Sequence, residues 1–261
     1  MPLYPNTALN RLRQGKTAIG FGAALLRSVA TPIIAKTAGF DWLFIDMEHG
    51  AFSVDQAAQL CIAALPTGVT PIPRVCADAL DEGTRLLDNG ALGLIIPHVD
   101  TPAQARRIGQ AFRFPPDGTR SWGGGIAVYG FNAPPPAEAQ KEINDNILIC
   151  GMVETAESVA NIDEIAATPG IDALLIGTSD LTADLGVPGQ AGHPKVQDAY
   201  RKVIDACKKH GKHPGMGGIY DEQWSKFYVD MGARFMLGGS DQSFVMTAAM
   251  ARAKFLNSLL P

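Results

Sequence analysis

The 261-residue chain has no uninterrupted apolar run of membrane-spanning length, few charged residues and only four cysteines. Crossing a bilayer takes about 20 consecutive apolar residues, so no membrane partner is expected. The opening stretch, MPLYPNTALNRLRQGK, lacks the apolar core of a secretory signal. Cys61, Cys76, Cys150 and Cys207 form no CxxC pair. They read as reduced thiols, and the expected location is the cytoplasm. Charged residues make up 18% of the chain and the formal net charge is −4. That balance offers nothing to attract a polyanion, so nucleic acid is not an expected partner. The nucleotide-binding glycine patterns are missing as well. Gly20-Phe21-Gly22 runs on into Ala23-Ala24-Leu25, so GxGxxG fails at its third glycine, and GxxxxGK[ST] does not occur.

Against these absences stands a 46% apolar share, enough for a sizeable core. It is distributed as eight short runs: TAIGFGAAL, DWLFIDME, TPIPRV, LGLIIPHV, ILICGMVE, IDALLIGT, HPGMGGI and ARFMLGG. Each is bounded by Gly, Pro or a polar cluster. Runs apolar on both faces suit parallel strands covered by helices. Segments of helical periodicity lie between most of them, among them VDQAAQLCIAAL, TPAQARRIGQAF and VQDAYRKVIDACKKH. Count and length together predict a single (β/α)8 barrel domain over residues 1–261 rather than an open doubly wound sheet. One connection, Arg113 to Asn146, is long and rich in Gly and Pro. Such loops serve as lids, interface elements or disordered segments.

In a barrel the chemistry gathers where the strands end. The second run ends in Asp46, Glu48 and His49, the third in Arg74, and the fourth in His98 and Asp100. The fifth ends in Glu154, and the sixth runs into Gly177-Thr178-Ser179-Asp180. Glu154 and Asp180, on adjacent strands, can hold a hard divalent cation, or each can cap the helix that follows it. Arg74 suits a developing oxyanion or a carboxylate, or an internal salt bridge to one of these acids. Asp46 and His49 are three residues apart, a spacing open to an acid–imidazole base pair and equally to a structural histidine. No lysine ends a strand, so imine chemistry on a carbonyl is disfavoured. What remains is an enolate stabilised by a metal.

DWLFIDMEHG, IPRV with the following Leu86-Leu87-Asp88-Asn89-Gly90, FPPDGTRSWGGG, MVETAESVANIDEI and LLIGTSDLTADLG together resemble the HpcH/HpaI class II aldolases. These cleave 4-hydroxy-2-oxo acids to pyruvate and an aldehyde. The resemblance covers most of the chain. It implies Glu154 and Asp180 as ligands of Mg²⁺, Mn²⁺ or Co²⁺, and Arg74 as the group facing the enolate oxygen. It implies His49 with Asp46 as the base system, and the backbone at Gly177, Thr178 and Ser179 as the seat of the substrate carboxylate. Asp88 matches an acid contributed across a subunit interface. A homo-hexamer, a trimer of dimers with swapped C-terminal helices, is also implied. Two positions depart from the pattern: Met152 stands where relatives have a Gln, and GTSD replaces GPAD. Both bear on the substrate rather than the reaction type. The stretch from Trp122 to Pro136 is individual too.

The expected reaction is reversible cleavage of a 4-hydroxy-2-oxo acid to pyruvate, or hydroxypyruvate, and an aldehyde. An acyl-CoA lyase of the citrate lyase type would use the same mouth but needs a site for a nucleotide tail, and the chain shows no basic cluster for one. A non-catalytic oxo-acid-binding barrel is the rival of another class.

Overall fold

The computed structural model describes residues 2–124 and 126–259. Eight parallel strands close into a barrel in sequence order. They are β1 (Ala18–Ala23), β2 (Trp42–Asp46), β3 (Thr70–Arg74), β4 (Gly93–Ile96), β5 (Leu148–Val153), β6 (Ala173–Gly177), β7 (His213–Gly217) and β8 (Phe235–Ser240). All eight apolar runs are strands, and the fold is the (β/α)8 barrel. Every residue of β2 to β6 is buried, because helices cover the outside and side chains fill the lumen.

The helices are α1 (Thr7–Arg13), α2 (Thr31–Thr37), α3 (Val54–Ala64), α4 (Leu80–Asp88), α5 (Pro102–Phe112) and α6 (Pro136–Asn146), followed by α7 (Ala156–Ala160), α8 (Ile162–Ala166), α9 (Thr178–Asp184), α10 (Pro194–Lys209), α11 (Glu222–Met231) and α12 (Asp241–Asn257). Capping boxes start α3 at Ser53 and α5 at Thr101, satisfying backbone N–H groups that have no partner inside the helix. None of the described helices is long and apolar enough to cross a membrane.

Two cores result. One lies between the barrel and its helices. The other fills the lumen, where Trp42 stacks on Phe235 at 4.3 Å between ring centroids. Helix α1 supplies Ala8, Leu9 and Leu12 to this second core. Its N-cap Asn6 donates through Nδ2 to the carbonyls of Leu92 and Asn146, at 2.8 and 2.9 Å. That seals the end of the barrel where the strands begin, so a substrate must enter at the other end.

The connection from Arg113 to Asn146 is not one irregular loop. It contains a short 3-10 turn, Ala127–Tyr129, and then α6. The segment is pinned internally. Phe114 N–H donates to Asn144 Oδ1 at 2.8 Å, and Asn144 Nδ2 returns a bond to the Phe114 carbonyl at 3.0 Å. The helix escapes periodicity analysis because it buries only Ala139, Ile143 and Asn144. The prolines before it, one at its first position, start it without breaking it.

The last helix is mostly uncovered, although Phe244 in its first turn packs on Phe21 and Phe40, at 5.3 and 5.9 Å between ring centroids. Only Asp241 is buried along α12. Phe244, Val245, Met246, Met250, Phe255 and Leu256 are exposed. Its base is fixed, since Asp241 Oδ2 accepts from the N–H groups of Leu25 and Leu26 at 2.9 and 2.6 Å.

Candidate active site

A cavity of about 320 Å³ opens at the mouth where the strands end. Its floor is apolar, with Phe44, Met152, Leu175 and Leu237, and its rim carries Asp46, His49, Arg74 and Asp180. Strand register sets the arrangement. Asp46 pairs with Arg74 across β2 and β3, so both side chains leave the sheet on the same face.

Arg74 is the hub. Its Nε donates to Asp46 Oδ1 at 3.0 Å and its Nη2 to Asp46 Oδ2 at 2.8 Å. Nη1 lies 2.9 Å from Glu48 Oε2 and 3.9 Å from the sulfur of Met152. This bidentate clamp fixes the guanidinium plane, and further N–H groups remain to face the cavity. Burial pushes the Asp46 carboxyl up. The hydrogen bonds and charge of Arg74, with the N–H groups of His49 and Glu48, outweigh that and hold it below its ordinary value.

Asp46 and His49 do meet, but not as an acid–imidazole pair. Asp46 Oδ1 accepts from the backbone N–H groups of Glu48 and His49, at 3.2 and 3.1 Å. The carboxylate thus shapes the turn after β2 and does not touch the imidazole. The chain folds so tightly here that a Cβ on Gly50 would stand 2.1 Å from the Asp46 carbonyl oxygen. The His49 ring is 70% exposed, lines the cavity and has Glu48 Oε2 at 3.9 Å. Glu48, not assigned a role from the sequence, therefore faces Arg74, His49 and also His98 Nε2, the last at 3.7 Å. Its place in FIDMEHG was the available signal.

Glu154 follows β5 and is nearly fully buried. Its Oε2 accepts from His98 N–H at 2.8 Å, with His98 Nδ1 at 3.3 Å. His98 holds a positive φ of 54°, a conformation that costs a β-carbon-bearing residue energy and recurs at functional sites. Gly177 makes room for Glu154: a Cβ there would lie 2.7 Å from Glu154 Cγ and Oε1. Burial first, and then the charges of Asp180 and Glu48, raise the Glu154 pKa against the lowering effect of His98.

Those carboxylates are hard oxygen donors with an excess of negative charge, which fits a divalent cation. Among the described residues no group of three or more His, Cys, Asp or Glu side chains could hold a metal ion. Two carboxylates would leave the remaining positions to water and substrate oxygens, the usual pattern for Mg²⁺.

At the turn after β6, the Thr178 hydroxyl is spent on Tyr200, 2.7 Å away in the helix layer. Thr178 lines the cavity beside Gly177 and Ser179. Asp88 lies elsewhere. It ends α4 and binds Arg120 Nη2 at 2.6 Å through Oδ1, and it does not line the cavity. Arg120 is buried over the Phe114 ring, 4.5 Å from its centroid.

Known proteins match this chain over nearly its whole length. Residues 27–248 match the HpcH/HpaI aldolase/citrate lyase family. A 4-hydroxy-4-methyl-2-oxoglutarate aldolase of Hapsidospora irregularis is 34% identical, over 99% of this chain and 97% of its own. A hydroxypyruvate/pyruvate aldolase of Sagittula stellata is 34% identical, over 97% of this chain and 98% of its own. Among solved structures, an HpcH/HpaI aldolase from Desulfitobacterium hafniense superposes with a TM-score of 0.91 at 31% identity, over 100% of this chain and 98% of its own. The chain belongs to the HpcH/HpaI aldolase/citrate lyase family.

Proposed function

We propose that the protein is a divalent-metal-dependent carbon–carbon lyase, an aldolase that reversibly cleaves 4-hydroxy-2-oxo acids to pyruvate or hydroxypyruvate and an aldehyde. The observation that carries this reading is the buried, doubly clamped Arg74 facing a cavity that Asp180 lines, with the buried Glu154 close enough to feel the Asp180 charge. Full-length relatives bear aldolase names.

A cation held by Glu154 and Asp180 would polarise the 2-oxo group and offset negative charge on its oxygen. The chain supplies the rest. The backbone at Gly177, Thr178 and Ser179 receives the substrate carboxylate. His49, at the cavity rim, takes the proton of the C4 hydroxyl. The C3–C4 bond then breaks and the aldehyde leaves. The electron pair stays on the three-carbon fragment as an enolate, whose oxygen Arg74 faces with N–H groups already oriented by Asp46. Protonation at C3 completes cleavage, and synthesis reverses the steps. The apolar floor limits water around the enolate.

Asp88 reaches this cavity only in an assembly, since within one chain it is bound to Arg120. The exposed apolar length of α12, with Ile33 and Ile34 exposed on α2, supports a homo-oligomer in which a second copy covers that helix. A hexamer with exchanged C-terminal helices satisfies both features.

The test is a panel assay of pyruvate and hydroxypyruvate with several aldehydes, in the presence of Mg²⁺, Mn²⁺ or Co²⁺ and after exhaustive chelation. Turnover that requires an added ion is expected. Full activity after chelation removes the metal from the scheme, and inactivity on every oxo acid favours a non-catalytic binding protein.

A further inference from the structure

Among the described residues, one residue makes every hydrogen bond and ion-pair contact to the Glu154 side chain. His98 lies just beyond β4. Its backbone N–H reaches Glu154 Oε2 at 2.8 Å, and its ring Nδ1 lies 3.3 Å from the same oxygen. Oε1 has no donor among the described residues. It faces Gly177, where an added Cβ would stand 2.7 Å away, at the end of the strand that leads into Asp180. The two oxygens of this buried carboxylate are therefore unequal. One is held by His98, and the other faces the strand that carries the second acid.

The hold depends on an unusual backbone. His98 has a φ of 54°, in the left-handed region where a Cβ crowds the chain. Its neighbours fix it there. Val99 N–H donates to the Met152 carbonyl at 3.2 Å. Thr155 Oγ1 donates to Asp100 Oδ1 at 2.5 Å, and Asn161 Nδ2 to the Asp100 carbonyl at 2.8 Å. Residues 99 and 100 are thus stitched to β5 and the segment after it. The left-handed step before them turns the His98 N–H onto Glu154, and such a conformation persists where its surroundings over-determine it.

The ring adds a contact that glycine, the default residue at such a φ, would lack. An ionised carboxylate only accepts hydrogen bonds, so the ring proton on the Glu154 side sits on Nδ1. The other ring nitrogen, Nε2, lies 3.7 Å from Glu48 Oε1, and Glu48 Oε2 lies 2.9 Å from Arg74 Nη1. The imidazole stands between the acid assigned to the metal and an acid that holds Arg74. His98 does not line the cavity, so it acts through Glu154 and not on the substrate.

We propose that the His98 ring is a positioning group for the metal: together with the N–H of its own left-handed backbone it holds Glu154 Oε2 and leaves Oε1 to the cation. The assignment rests on the metal-dependent aldolase reading and deepens it. Partners that orient a ligating carboxylate contribute to metal affinity although they never touch the ion.

The experiment measures Mn²⁺ binding to the metal-free protein by isothermal titration calorimetry, which needs no turnover, for wild type, His98→Gly, His98→Asn and Glu154→Gln. Gly and Asn both accept a positive φ, so both variants keep the backbone N–H in place, and both are expected to fold. His98→Gly lacks the ring and is expected to weaken Mn²⁺ binding roughly tenfold. His98→Asn places an amide donor near the Nδ1 position and is expected to recover most of that loss. Wild-type affinity in His98→Gly overturns the assignment. So does an Asn variant no better than Gly, which would mark the loss as a general effect of changing the turn. Wild type that binds no Mn²⁺, or Glu154→Gln that binds it as tightly as wild type, overturns the metal reading itself and this assignment with it, so the two failures are distinct.

Discussion

Asp46 grips Arg74 through both carboxylate oxygens, at 3.0 Å to Nε and 2.8 Å to Nη2. The pair sits side by side in the register of β2 and β3, and burial at the barrel mouth keeps water from competing. The guanidinium is held in one plane before any ligand arrives, which is what stabilising a developing oxyanion requires.

Replacing Arg74 with Ala is expected to lower kcat by about two to three orders of magnitude, the usual cost of removing an oxyanion donor. It also strips Asp46 and Glu48 of their cation, so stability falls by roughly 3–5 kcal/mol. Steady-state kinetics with saturating Mg²⁺, paired with urea unfolding, reads both. Normal turnover would show that the enolate oxygen lies elsewhere.

Gly177→Ala tests Glu154 without changing its chemistry. The new methyl group would stand 2.7 Å from Glu154 Cγ and Oε1, so the carboxylate must shift. The metal concentration for half-maximal activity is expected to rise roughly tenfold, and Glu154→Gln should raise it further. A metal titration of the Ala variant that overlays the wild type would separate Glu154 from the ion.

His213 opens β7 at the end of the barrel away from the active site. Burial depresses its pKa below the ordinary 6.5, and Arg13 and Lys212 add to the effect. The unfolded chain therefore binds a proton at a higher pH than the folded one. Stability from this group is complete above about pH 6.5 and is lost as pH falls toward the folded value. Melting temperature should drop from pH 7 to pH 5, and less steeply in His213→Gln. Equal slopes in the two proteins would assign the acid sensitivity to other groups.

The exposed apolar length of α12 leads to an expectation about assembly. Wild-type protein should sediment as a hexamer, and Val245→Asp combined with Met250→Asp should yield smaller species, since both positions lie in the uncovered stretch. The doubly substituted protein should also lose activity if Asp88 serves a neighbouring site. A monomeric wild type with full activity would contradict the expected role of Asp88.

The amino-acid sequence by itself determined the eight strands, the barrel class, the absence of a strand-end lysine and the collection of Asp46, His49, Arg74, Glu154 and Asp180 at strand ends. These are local properties: apolar runs, their boundaries, and the residue at which each run stops. Tertiary structure decided how the groups meet. It placed Asp46 on Arg74 rather than on the His49 ring, brought Glu48 between Arg74 and two histidines, and tied Asp88 to Arg120. It also made a helix of the polar segment Pro136–Asn146 and left most of α12 uncovered. Each depends on register, close approach or burial between residues far apart in the chain, and periodicity along the chain carries no record of those.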